Sequence, residues 1–214
     1  MNVKPRTPEE RYERALQTAQ LAFPLLKPQD AAAHAGVACH LRTAQEAELR
    51  VPFFGRVYQV LWPDGAVSGT DPHQETDIAS RILLLHYLLT ADGTPLADRW
   101  IAFRNLPGGL GYDAAFQGRA NRRLAHVFGA DQTAFETAAR AIGGERLSFG
   151  DASFVFRILP RVWLAVVLYL ADEEFPASAN VLFDAAAGHY LPTEDLAVVG
   201  DMLAGRLTKA AQAR

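Results

Sequence analysis

Residues 152–170 read ASFVFRILPRVWLAVVLYL. Phe154, Phe156 and Ile158 alternate with Ser153, Val155 and Arg157, the period of two expected of a strand. A second apolar and β-branched run, residues 162–170, follows after only Pro160 and Arg161. A link that short cannot carry the crossover that parallel strands need, so the two strands are expected to be antiparallel neighbours. This pairing sets the fold class, and the rest of the chain is read against it.

Working outward, residues 162–195 pass from the apolar run into three acids, Asp172, Glu173 and Glu174. A short strand ending at Asp184 follows, then the segment His189-Tyr190-Leu191-Pro192. Residues 193–207 form a C-terminal helix, with Thr193 as cap and Glu194 and Asp195 in its first turn. Upstream, residues 77–90 make the most apolar helix, wide enough in its apolar face to be packed on two sides. Residues 113–128 and 131–142 are two more helices, the second capped by Asp131 and stopped by Gly143-Gly144. Arg56–Trp62 and residues 66–68 form a hairpin through Pro63-Asp64-Gly65. Shorter strands are expected at 37–41, 47–51 and 99–103. The N-terminal helices occupy residues 8–36, with Tyr12, Leu16, Ala19 and Phe23 facing the core. Strands and helices mix without regular βαβ alternation. The expectation is an α+β fold: a single domain over residues 1–214, mainly an antiparallel sheet with helices packed on it.

The chain has 214 residues, half of them hydrophobic and 21% charged, ordinary globular composition. A net charge of −3 argues against a nucleic-acid partner, because neutralising phosphates needs surplus Lys and Arg. Cys39 is the one cysteine, so no internal disulfide, Cys-rich zinc site or iron–sulfur cluster is expected. The charged N-terminus lacks an apolar signal core, and the longest apolar run is too short to span a bilayer. A soluble, cytoplasmic protein with no membrane partner follows.

Three groups of residues could carry chemistry. Arg104, Arg157 and Arg161 would converge on a carboxylate or phosphate if their strands are neighbours, or else pair internally with Asp172, Glu173 or Asp184. Asp184 and His189 could form a carboxylate–imidazole pair, or else tie down their loop by local hydrogen bonds. The acidic turn could bind a metal, or be a solvated loop. The Gly-rich stretch 106–111 precedes a helix but lacks both the P-loop lysine and the dinucleotide-fold spacing. No catalytic motif marks the chain as an enzyme.

The leading expectation is a binding or accessory protein for a small anionic molecule or cofactor. Arg104, Arg157 and Arg161 would grasp the anion, while Glu173, Asp184, His189 and Tyr190 supply directed hydrogen bonds. The rival is a metal-dependent hydrolase or lyase using Asp172, Glu173, Asp184 and His189. A third reading is an adaptor whose apolar loops, Val51-Pro52-Phe53-Phe54 and Phe175-Pro176, dock a protein partner.

Several segments resemble the bacterial and archaeal family DUF3786. They are Leu83-Leu84-Leu85-His86-Tyr87-Leu88, Trp100-Ile101-Ala102-Phe103-Arg104-Asn105-Leu106-Pro107-Gly108-Gly109, Gly150-Asp151-Ala152-Ser153 and Leu159-Pro160-Arg161. Asp172-Glu173-Glu174-Phe175-Pro176-Ala177-Ser178-Ala179-Asn180-Val181-Leu182-Phe183-Asp184 and Tyr190-Leu191-Pro192-Thr193-Glu194-Asp195-Leu196 complete the match. The family is a domain of unknown function, so the resemblance implies no activity. Some of its members carry a Cys-rich segment like those of corrinoid iron–sulfur proteins. With Cys39 alone, this chain departs from them, and no cluster carries over.

Overall fold

The computed structural model describes residues 7–70 and 76–212. The α+β class holds, with helices packed on antiparallel strands. The strands, however, form two sheets rather than one, of four and five strands, and the residues cluster into two compact units. One unit runs from the N-terminus to Thr94 and takes in His189–Leu191; the other holds Pro95–Gly188 and Pro192–Arg214.

In the first unit, α1 (Pro8–Ala22) opens with a capping box: Glu10 N–H donates to Thr7 Oγ1, and Thr7 N–H to the Glu10 carboxylate. Leu16, Ala19 and Phe23 are buried as expected, but Tyr12 is 41% exposed. Tyr12 sits in the first turns of α1, where Glu9 to Arg14 are all exposed. Helix α2 (Pro28–Ala35) stops at Gly36. Four strands then meander in sequence order: β1 (Ala38–Thr43), β2 (Glu46–Phe53), β3 (Arg56–Trp62) and β4 (Ala66–Gly69). The β3–β4 turn places Gly65 at φ +63, where a β-carbon would be strained. One face of the sheet is apolar and buried: Ala47, Leu49, Val51, Phe53, Tyr58 and Val60. On α3 (Ile78–Thr90), Ile82, Leu83, Leu84, Leu85, Tyr87 and Leu88 are all buried. That breadth is what a helix contacting α1, α2 and β4 requires.

The second unit is built on a sheet in the order β5–β9–β8–β7–β6. Its strands are β5 (Trp100–Ala102), β6 (Glu145–Leu147), β7 (Ala152–Leu159), β8 (Val162–Tyr169) and β9 (Ser178–Asp184). β7 and β8 pair antiparallel as the short link requires. Leu164 to Leu168 are all buried, as in a strand covered on both faces. The helix expected over 113–128 is interrupted. α4 (Asp113–Phe116) passes through a π-helical turn (Gln117–Asn121) into α5 (Arg122–Phe128). The interruption has a local purpose. β5 pairs with β9 only from Leu182 to Asp184, which leaves the Val181 N–H without a strand partner on that side. Asn121, buried in the π turn, accepts that N–H at 3.1 Å and donates its own amide to Gln117 at 2.8 Å. Phe103, Phe116 and Phe183 form one aromatic cluster, and Phe128, Phe135 and Phe154 another. Helices α6 (Gln132–Ala141) and α7 (Thr193–Gln212) complete the unit, α7 running past its expected end at Leu207. Residues 213 and 214 of the tail lie outside the described residues.

Candidate functional site: a histidine–aspartate pair

A carboxylate–imidazole pair is present, but its carboxylate is Asp92. Helix α3 ends at Thr90, and Asp92-Gly93-Thr94 makes a turn in which Thr94 N–H donates to Asp92 Oδ1 at 2.9 Å. Asp92 Oδ2 lies 2.7 Å from His189 Nδ1, and Thr94 Oγ1 lies 3.2 Å from the same nitrogen. Asp92 and His189 are both about half exposed. The hydrogen bond from His189, followed by those from Thr94, holds the Asp92 carboxyl well below the usual carboxylate range. An ionised carboxylate only accepts, so Nδ1 must carry a proton. That leaves Nε2 as the working edge: a lone pair in the neutral ring, an N–H donor in the imidazolium. No described residue hydrogen-bonds it.

The pair rests on a rigid base. Tyr190 is fully buried, and its hydroxyl donates to the Thr94 carbonyl. Its ring packs 5.9 Å from that of Tyr87, whose hydroxyl donates to the carbonyl of Ala35 at the end of α2. His34 flanks the other side: a β-carbon on Gly93, at φ +84, would come within 3.1 Å of its ring. Tyr190 therefore supports the turn beneath His189 and is too deep to meet a ligand.

The other expected site residues are placed elsewhere. Asp184 is 2% exposed and accepts backbone N–H groups of Ala97 and Ala186, each at 2.9 Å. It is a structural anchor that closes the turn after β9. In the acidic turn, Asp172 accepts from the backbone of Glu174 and Phe175, while Glu173 is exposed. Among the described residues, no group of three or more His, Cys, Asp or Glu side chains is placed to hold a metal ion. Asp172, Glu173, Asp184 and His189 do not form such a group.

The arginines were expected to converge if β7 and β8 neighboured the strand before Arg104. β9 and β8 stand between β5 and β7, three inter-strand spacings of about 4.8 Å each, or roughly 14 Å. Register widens the gap. Arg157 pairs with Trp163, on the row that crosses Asp184 and Trp100, whereas Arg104 lies beyond Ala102 towards the opposite end. Arg157 instead meets Glu145 at 3.2 Å and lies 4.7 Å over the Trp163 ring, at the surface. Arg161 sits, partly exposed, in the β7–β8 turn. In the Gly-rich stretch, Gly109 lies against the Phe103 carbonyl, which a β-carbon would meet at 2.1 Å. Close packing, not anion binding, accounts for that glycine. Of the adaptor loops, Val51 and Phe53 are buried in β2, while Phe175 is 65% exposed.

The Asp92 partner was not legible in advance. Asp-Gly-Thr is a turn signature at any surface, and 97 residues separate Asp92 from His189.

Fold and site together define a protein of two antiparallel-sheet units that presents a solvent-facing histidine held by an aspartate. The chain belongs to the DUF3786 family, a domain of unknown function, whose model matches residues 27–206. No curated protein and no solved structure matches it. Among the described residues, no helix is long and apolar enough to cross a membrane.

Proposed function

We propose that this is a cytoplasmic binding or accessory protein for a small anionic ligand, with His189 as the contact group. One observation carries the reading: Asp92 holds His189 Nδ1 at 2.7 Å while the ring stays half exposed. The carboxylate fixes the ring's orientation through Nδ1, and the imidazolium form offers Nε2–H to an anion. The three arginines are too dispersed to act as one clamp, so recognition rests on this directed hydrogen bond.

The sign of the pH dependence follows. Asp92 stays ionised throughout the neutral range because its carboxyl is depressed, so its hold on Nδ1 persists there. Affinity rises as pH falls and His189 gains its second proton. The experiment is thermal unfolding of the full chain against a panel of small carboxylates and phosphate esters, at pH 6 and pH 8. A ligand at a hundredfold excess over its Kd stabilises by about 2.7 kcal/mol. At least one compound should raise the Tm more at pH 6, His189→Gln should abolish the shift, and Asp92→Asn should weaken it. A panel without a stabilising compound, or a His189→Gln variant that responds like the wild type, overturns the reading.

A further inference from the structure

Several arginines of the chain meet a carboxylate: Arg42 and Arg50 meet Glu48, Arg140 and Arg146 meet Glu136, Arg157 meets Glu145 and Arg123 meets Asp201. Arg119 and Arg122 are held differently. Arg119 Nη1 donates to the Tyr112 hydroxyl at 2.6 Å, and its guanidinium lies 5.6 Å from the centre of that ring. Arg122 Nη2 reaches the Ala114 carbonyl at 3.5 Å. Both arginines are exposed, and neither has a carboxylate partner among the described residues. Asp113 is next to Tyr112 in sequence, but one of its oxygens is buried and bonds neither arginine.

The two side chains are positioned rather than loose. Arg119 reaches back to Tyr112 and Arg122 to Ala114, so both guanidinium groups lie at the same end of α4. The Tyr112 ring is braced by Phe103, which is buried and meets it edge-on at 6.2 Å. Gly118 makes room for Arg122: a β-carbon there would lie 2.9 Å from Nη2, and its nearest neighbours would all be guanidinium atoms. Glycine weakens a helical run, and here it lets the charged group lie flat against the chain. Leu110 stands two residues before Tyr112, in the 3-10 turn Gly109–Tyr112, and is 76% exposed.

We propose that Arg119 and Arg122, with Leu110 and Tyr112 beside them, dock an acidic segment of a partner protein. Each guanidinium is a planar fork of N–H donors that matches the two oxygens of a carboxylate, and each has used only one donor within the chain. Two unneutralised cations on one face fix the sign of the partner. Leu110 and the Tyr112 ring offer an apolar side chain of that segment a surface to cover. Docking on an anionic bilayer takes clusters of about four to eight basic residues, and this pair falls short of that. The face lies wholly within the second unit and shares no residue with the His189 site, so either reading can fail alone.

The test is fluorescence anisotropy of the full chain with a labelled peptide in which a leucine is flanked by glutamates, at physiological ionic strength. The peptide should bind saturably, and its counterpart with glutamine in place of glutamate should bind at least about tenfold more weakly. Arg119→Gln and Arg122→Gln should each weaken binding about tenfold, the effect of losing one charge-assisted hydrogen bond. Gly118→Ala keeps every charge but pushes the Arg122 guanidinium aside, and should also weaken it. Arg157→Gln removes the same charge elsewhere on the unit and should bind like the wild type. No saturable binding overturns the proposal, as do Arg119→Gln and Arg122→Gln variants that bind like the wild type, or an equal loss in Arg157→Gln. Capture by phosphatidylglycerol vesicles that depends on these arginines, without peptide binding, assigns the face to a membrane and overturns it too.

Discussion

The two sheets solve the same problem differently. In the four-stranded sheet, β2 alternates between buried and exposed residues, with Glu48 the one exception on its polar face. Glu48 is 6% exposed because Arg42 and Arg50 lie over it and bond its two oxygens. In the five-stranded sheet, β7 is buried at every position but Arg157. A sheet with one wet face can bury a charge under its neighbours' side chains. The more fully covered strands of the second sheet leave little room for polar groups, and Asn121 in the π turn serves one backbone N–H of β9.

That contrast can be broken at four points. The largest effect belongs to Leu164→Ala, a fully buried residue of β8, expected to cost about 2–5 kcal/mol in denaturant unfolding. Gly200→Ala comes next. Its β-carbon would lie 2.6 Å from Phe116, and such overpacking costs about 1–3 kcal/mol; an unchanged midpoint would show the aromatic cluster to be loosely packed. The third point is acid titration. Hydrogen bonds from Gln59, Arg42 and Arg50 hold Glu48 down from its ordinary value of 4.5 to about 2. A depressed folded-state value gives stability that is present above pH 4.5 and lost as pH falls towards 2. Glu48→Gln should therefore flatten part of the acid limb, and an acid limb of unchanged steepness would contradict this. The smallest effect is Arg157→Ala. Its pairing with Glu145 is exposed on both sides, so a change within about 0.5 kcal/mol is expected from thermal unfolding; a larger loss would mean that its stacking on Trp163 matters more than the ion pair.

Much of the fold was legible because it is local. The antiparallel β7–β8 pair followed from a two-residue link, the β3–β4 hairpin from Pro63-Asp64-Gly65, and the start of α6 from Asp131. The π turn was not legible, since its cause is a hydrogen bond to a strand 60 residues away. The division into two sheets escaped for a related reason: alternation shows that a strand exists but not which strand it joins. Placing β9 between β5 and β8 is what parts Arg104 from Arg157.

At the candidate site the line between the two kinds of information is sharp. From the sequence alone came most of the elements, the Asp131 cap, the antiparallel class and the choice of His189 as a residue worth locating. These depend on neighbours within a few residues, where periodicity and turn chemistry act directly. Only the tertiary structure decided that Asp92 rather than Asp184 holds that histidine, that Tyr190 lies beneath it, and that the arginines stand apart. Those are contacts between distant parts of the chain, set by which apolar faces pack together, and a polar side chain's partner is whatever that packing leaves within about 3 Å of it.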